Sequence, residues 1–275
     1  MRVVITGASG FIAPYVAKTL RDAGCEVVPV ARRPADHILQ IADYSQTPPA
    51  DVIVHLAQDA DRERVNAQPD AHVPEVIAQT EALISRYQRV VYISSATLYG
   101  DRCLTPRSTM DPVISNDAYA RIKLGCEQAV LTHPGGVVAR LANIYGHGQS
   151  DNTVLATILR QAGNEGPMTV RDDTPVRDFL WVEDAADCLA EMAVGTPTGI
   201  FNLGSGVGTS VQQLILHVFD ILGQSDRAVV TTAPVDRVSS LVLDIEQTLA
   251  TWRWRPAVPM REGLRRLLNI RGLGN

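Results

Sequence analysis

Lysine is nearly absent from this chain of 275 residues: Lys18 and Lys123 are the only two, against 23 arginines. No basic run is present and the net charge is −5, which argues against a nucleic-acid partner. No stretch of 18 consecutive apolar residues occurs, so neither a transmembrane helix nor a membrane partner is expected. Cysteine is also sparse. Cys25, Cys103, Cys126 and Cys188 show no CxxC spacing and no clustered histidines. That pattern predicts free thiols in a reducing cytoplasm, with no disulfide frame and no metal site. The opening residues, Met-Arg-Val-Val-Ile-Thr-Gly, enter directly into a strand and a glycine turn, so no signal peptide is expected. There is no internal repeat and no low-complexity linker.

Apolar residues make up 45% of the chain, enough for one large α/β domain or two unequal lobes. Residues 1–5 are an apolar run, followed by Gly7-Ala-Ser9-Gly10-Phe11-Ile12-Ala13. A helical pattern then passes through Val16, Leu20 and Ala23 to Gly24, and a second apolar run covers residues 27–30. This is a βαβ unit. Further buried strands are expected at residues 51–57, 89–95 and 137–141, with helices near 70–87 and from Tyr119 to Thr132. Such alternation predicts an α/β fold with a Rossmann-type, doubly wound parallel sheet. Beyond Asn143 the segments shorten, with helices expected near 152–163, 183–194, 210–222 and 260–269. The expected division is a dinucleotide-binding domain over 1–145 plus about 180–198. A smaller mixed α/β substrate lobe would take about 146–179 plus 199–275, at the carboxyl edge of the sheet where ligands of such folds bind.

Two patterns carry chemistry. Gly7-x-x-Gly10-x-x-Ala13 follows a strand and opens a helix. Small residues there let backbone approach a pyrophosphate, and a helix N-terminus supplies N–H groups and a positive dipole. The turn residues Ser9, Phe11 and Ile12 join Gly7 and Gly10 as candidate cofactor contacts. At the end of the second strand stands Arg32-Arg33 with no acid. A carboxylate there suits a free ribose diol, whereas arginine accepts a 2′-phosphate, so NADP(H) is favoured over NAD(H). Two solvated surface arginines are the alternative. The second pattern is Tyr119-x-x-x-Lys123, which puts a phenol and an ammonium one helical turn apart on one face. At roughly 5 Å and an effective dielectric near 20, the ammonium favours phenolate by about 3 kcal/mol. On spacing alone, an ordinary surface pair is the competing reading.

These residues, with others in the same order, resemble the extended short-chain dehydrogenase/reductase family, in its nucleotide-sugar epimerase/dehydratase/reductase branch. The matching motifs include Asp43 after the third strand, His55-Leu56-Ala57, and Ser94-Ser95-Ala-Thr97-Leu-Tyr99-Gly100. They continue with Glu127 beyond Tyr119 and Lys123, Arg140-Leu-Ala-Asn143-Ile-Tyr-Gly146, and Arg177-Asp-Phe-Leu-Trp-Val-Glu-Asp184. Phe201-Asn-Leu-Gly-Ser-Gly206 and Trp252-Arg-Trp-Arg-Pro256 complete the set. The resemblance implies that Tyr119 exchanges a proton with a sugar oxygen and that Lys123 holds the nicotinamide ribose. It implies that Ser95, rather than its neighbour Ser94, bonds the same sugar oxygen, with Thr97 beside it. Asp43 and Tyr44 would flank the adenine, and Leu56 and Ala57 the middle of the cofactor. Asn143 would meet the nucleotide-sugar substrate and Arg237 its diphosphate. Arg177 is either a substrate contact or an ion-pair partner of Asp178 or Asp184. His55 reads as a satisfied strand-end histidine, and Tyr99 is left without a role. A homodimer through the two helices near 70–87 and 119–132 is the family expectation.

The two residues after Ser95 narrow the reaction. Dehydratases of this branch carry an Asp-Glu pair there, and this chain has Ala96 and Thr97. Reduction of a keto sugar by NADPH is the expected reaction, with a 4-epimerase retaining NAD as the alternative. A non-catalytic cofactor-binding sensor fits less well, since Ser95, Tyr119 and Lys123 are all present. Three departures bear on substrate geometry: Ile122 where a small residue is usual, Ala78-Gln79-Thr80 where an asparagine is usual, and Gly146-His147-Gly148 in place of Gly-Pro-Gly.

Overall fold

A computed structural model describes residues 1–58 and 69–273 of the chain. The first unit is a strand β1 (Arg2–Thr6), a helix (Ala13–Asp22) and a strand β2 (Glu26–Ala31). The helix buries Ala13, Val16, Ala17 and Leu20, the i, i+3, i+4, i+7 face that packs on the sheet. Strands β3 (Leu39–Gln40), β4 (Val52–His55), β5 (Arg89–Ser95) and β6 (Gly136–Leu141) come next. Helices Pro69–Ile84 and Ala118–Thr132 lie between β4 and β5 and between β5 and β6. All residues of β4 and β6 are buried, as expected for strands covered on both faces.

Beyond β6 come β7 (Asn143–Tyr145), β8 (Met168–Val170), β9 (Val176–Trp181), β10 (Gly199–Leu203), β11 (Gly208–Ser210), β12 (Val229–Thr231) and β13 (Ser240–Leu241). The main sheet has seven parallel strands in the order β10-β6-β5-β4-β1-β2-β3. Gly199–Leu203, which the sequence assigns to the lobe, is therefore an edge strand of this sheet, in register with Val137–Leu141. Its inner residues Phe201, Asn202 and Leu203 are buried, which is what draws it onto the sheet.

Helices Ala13–Asp22 and Val182–Val194 cover one face of the sheet, with Trp252 and Trp254 in the same core. Helices Pro69–Ile84 and Ala118–Thr132 cover the other. The lobe has its own core around Tyr145, Phe179 and Trp181, closed by helices Val154–Gln161, Val211–Leu222 and Met260–Ile270. Its sheet runs β11-β9-β13, with β7 also paired to β9, while β12 and β8 form a separate pair. A short helix, Glu246–Thr251, is an element that the sequence pattern does not announce. All four cysteines are free thiols. Among the described residues, no helix is long and apolar enough to cross a membrane.

Candidate active site

The glycine turn sits where β1, β2 and β4 end together. Gly7 has φ +69°, and a Cβ there would lie 2.9 Å from backbone atoms of Leu56 and Ala57. Only glycine allows the turn to approach the end of β4 so closely. Gly10 N–H donates to the Gly7 carbonyl at 2.9 Å, and a Cβ on Gly10 would be 3.1 Å from that oxygen. The helix beyond it starts without any side-chain cap and has Pro14 in its first turn. An uncapped N-terminus behind a glycine cradle fits the pyrophosphate of a dinucleotide. Ser9 is exposed, and Phe11 and Ile12 are half-buried.

A cleft of about 370 Å³ runs along the carboxyl edge of the sheet beside this turn. Arg32, Asp43 and Tyr44 line one end, His55, Ala57 and Gln58 the middle, and Tyr119, Ile122 and Lys123 the other end. The Arg32 guanidinium lies 5.6 Å from the centre of the Tyr44 ring. Arg33 is exposed and outside the cleft lining, so the two arginines of the sequence motif do not converge. Asp43 accepts from Ser45 N–H at 2.8 Å, a bond that holds its carboxyl below the usual range. Leu56 and Ser95 do not line this cleft.

Lys123 is 7% exposed, and its Nζ donates to the Ile93 carbonyl at 2.8 Å. The same ammonium stands 5.2 Å from the Tyr92 ring centre and 5.9 Å from that of Tyr119. Burial lowers its pKa to about 8, against the pull of Cys126 and Glu127. Ser95 Oγ and Thr97 Oγ1 are 2.8 Å apart, and Thr97 N–H donates to Ser95 Oγ at 3.2 Å. Ser94 is buried, with no partner for its hydroxyl among the described residues. His55 is satisfied, as its sequence position suggests: Nδ1 lies 2.7 Å from Thr6 Oγ1, and the ring stacks on Tyr92 at 6.0 Å. Burial, and then the Lys123 charge, lowers its pKa to about 3.

Two polar networks are not legible in the sequence. Tyr92 donates to Gln58 at 2.6 Å, and Gln58 donates to Cys126 Sγ at 3.2 Å, beneath the Lys123 end of the cleft. His72, Glu75, Gln79 and Thr80 line the cleft from the Pro69–Ile84 helix. The second network is the buried bidentate pair of Arg140 with Glu127 at 3.0 and 2.6 Å. Arg140 also donates to Tyr99 Oη at 2.9 Å, and Tyr99 donates to Asn202 Oδ1 at 2.8 Å. Tyr99 is thus a core residue that ties the Ser95 turn to the Ala118–Thr132 helix.

In the lobe, Asn143 is exposed and donates to the Asp178 carbonyl at 3.1 Å. The ion pair of Arg177 is with neither Asp178 nor Asp184. It is with Asp101 at 3.2 Å, where Arg237 also lands at 3.1 Å. The reason is that Asp178 and Asp184 are already used. Asp178 accepts from Ser205, Gly206 and Leu243 N–H groups, and Asp184 from Ala257 and Val258 N–H groups.

The model of the NAD dependent epimerase/dehydratase family matches residues 3–204. The chain belongs to this family. Among curated relatives, dTDP-6-deoxy-L-talose 4-dehydrogenase (NAD(P)(+)) of Kitasatospora kifunensis is 24% identical, with 97% of this chain and 94% of the relative covered. Among solved structures, the Thermotoga maritima UDP-glucose 4-epimerase with UDP-glucose superposes with a TM-score of 0.85 at 22% identity, over 99% of both chains. RMD from Pseudomonas aeruginosa complexed with NADPH gives 0.81 at 23% identity, over 98% of this chain and 97% of the other. Curated relatives of this epimerase/dehydratase member also include UDP-glucuronic acid decarboxylase 1 of Arabidopsis thaliana, 23% identical, with 98% of this chain and 69% of the relative covered. The glycine cradle and uncapped helix of this chain fit the pyrophosphate of a dinucleotide.

Proposed function

We propose that this protein reduces the 4-keto group of a nucleotide-linked sugar, using NADP(H), with Tyr119 as the proton donor. The observation that carries this reading is the buried Lys123 ammonium beside Tyr119, at one end of a cleft whose other end is lined by Arg32. When bound, the nicotinamide supplies the hydride. The chain's own residues do the rest. Backbone at Gly7, Ser9, Gly10, Phe11 and Ile12 holds the pyrophosphate, with Leu56 and Ala57 along the middle of the cofactor. Asp43 and Tyr44 flank the adenine, while Arg32 meets the 2′-phosphate. Lys123 binds the nicotinamide ribose and holds positive charge near the Tyr119 phenol, so that the proton leaves readily. Ser95, backed by Thr97, donates to the sugar oxygen as negative charge develops on it. Asn143 and Arg237 hold the nucleotide part of the substrate. Arg177, whose terminal nitrogens are taken up by protein acceptors, supports that site without touching substrate. The lobe of about 146–179 plus 199–275, less strand β10, forms the substrate side. A cytoplasmic homodimer through the Pro69–Ile84 and Ala118–Thr132 helices completes the proposal, and analytical ultracentrifugation tests the dimer.

A second reading is favoured by the Ala96-Thr97 sequence: a 4-epimerase with retained NAD. Nicotinamide absorbance with a panel of keto and hydroxy nucleotide sugars separates the two. Stoichiometric loss of NADPH with formation of one alcohol supports the reductase. Interconversion of two epimers with no net change in cofactor would replace it with the epimerase.

A further inference from the structure

Asp101 comes directly after the Tyr99-Gly100 turn, six positions after Ser95, and collects side chains from two other segments. Its Oδ1 accepts from Arg237 Nη1 at 3.1 Å. Its Oδ2 accepts from Arg237 Nη2 at 3.3 Å, Arg177 Nη2 at 3.2 Å and the Ser239 hydroxyl at 2.7 Å. Its own carbonyl accepts from Ser240 N–H at 2.8 Å. The two arginines differ in what remains to them. Both terminal nitrogens of Arg177 are filled: Nη1 by the Val176 and Ser239 carbonyls, Nη2 by Asp101 and Ser239 Oγ. Arg237 meets Asp101 end-on, through Nη1 and Nη2, and Nη1 also donates to the Val238 carbonyl. Its Nε–H and its second Nη2–H have no partner among the described residues, and its side chain is 42% exposed. These two donors form the side-on fork that matches a pair of phosphate oxygens.

The cluster of two guanidinium groups and one carboxylate carries one net positive charge. Of its members Arg177 stands on β9, in the sheet that bears Asn143, which pairs with Phe179 two residues along that strand. Arg237 itself belongs to a stretch before β13 that has no regular structure. The Asp101 contact is what fixes its side chain, and an unfixed arginine would have to be ordered when substrate binds.

We infer that Asp101 is a positioning residue for the substrate, holding Arg237 with its free fork turned to a nucleoside diphosphate. The inference rests on the nucleotide-sugar reading above. Asp101 acts through Arg237 and touches no substrate atom. Its removal returns the ordering cost of one long side chain, which corresponds to about tenfold in affinity.

Calorimetric titration of the NADPH-loaded protein with UDP, dTDP and GDP tests it. The tightest of the three is expected to bind Asp101→Asn and Arg237→Ala each about tenfold more weakly. The double variant is expected to lose no more than Arg237→Ala alone, and NADPH affinity to stay within about twofold. Arg237→Lys leaves Asp101 in place and keeps the charge but not the fork, and is expected to lose about tenfold as well. Tighter binding by Asp101→Asn would mean that the carboxylate competes with the diphosphate, and would overturn the inference. Additive losses in the double variant, or wild-type affinity in Arg237→Lys, would do the same. If none of the three ligands binds the wild-type protein, the nucleotide-sugar reading itself fails and this inference falls with it.

Discussion

Replacing Lys123 by methionine separates what this residue costs the fold from what it does for the reaction. Methionine is unbranched and fills nearly the same space. The ammonium is buried, and its pKa falls from 10.5 to about 8, chiefly through desolvation. That shift is worth about 3 kcal/mol against the folded state at neutral pH. The sign comes from proton counting. Below about pH 8 both folded and unfolded chains hold the proton, and the full cost is present. Between about 8 and 10.5 the unfolded chain binds a proton that the folded chain lacks, so stability rises with pH, at about 1.4 kcal/mol per unit. Urea unfolding of wild type and Lys123→Met, at pH 7 and at about pH 9.5, reads this directly. The difference between the two proteins cancels other titrating groups. Wild type is expected to gain about 2 kcal/mol relative to the variant across that interval. Parallel pH–stability curves would refute the burial argument. So would a relative loss by wild type, because the charge would then be stabilised in the fold rather than tolerated for function.

Three further expectations come from the geometry. His55, held neutral with a pKa of about 3 against 6.5 unfolded, makes the fold lose stability as pH falls below about 6.5. His55→Gln should lose about 2 kcal/mol less than wild type between pH 6.5 and 5 in urea titrations, and equal losses would show that the ring is accessible to protons. Gly7→Ala meets both a left-handed φ and backbone of Leu56 and Ala57 at 2.9 Å. A destabilisation of about 1–3 kcal/mol and at least tenfold weaker NADPH binding are expected by thermal melting and fluorescence titration, and unchanged values would place the turn elsewhere. Glu127→Gln strands the buried Arg140 charge and should cost about 3–5 kcal/mol of unfolding free energy. The double change Glu127→Leu with Arg140→Met should cost less than that single one, and the opposite order would show that the pair is a net stabiliser.

The parts of the molecule that the sequence makes legible are those with local causes. The Gly7 turn is written in adjacent residues, and the helix carrying Tyr119 and Lys123 has Asp117 at its cap, accepting from Ala120 N–H at 2.8 Å. Helix Pro69–Ile84 is readable to within a few positions of its expected 70–87 for the same reason. The illegible parts depend on pairing across long separations. Strands β7, β11 and β13 have two or three residues each, too few to show a period of two. Strand β10 joins the main sheet by pairing with β6, about 60 residues earlier, a partnership that no local pattern carries. Arg177 makes the same point for side chains. Sequence proximity suggests Asp178 or Asp184, whereas its partner Asp101 is 76 residues away. Gln58 has a usable signal, since it directly succeeds the His55-Leu56-Ala57 strand end, whose members belong to the family motif. Arg33 shows the converse: two adjacent arginines read as one site in the sequence, and only Arg32 turns into the cleft.

The proposed reaction has Tyr119 giving a proton to a keto sugar while Lys123 supports it. Turnover of NADPH with UDP-, dTDP- and GDP-linked 4-keto sugars, by wild type and by Tyr119→Phe, tests this most directly. Wild type should consume one NADPH per sugar reduced on at least one of them. Tyr119→Phe should lose roughly 10²–10⁴-fold in kcat while its NADPH affinity stays within about twofold. NADPH binding without turnover on any member of the panel, or a Tyr119→Phe variant that turns over like wild type, would contradict it.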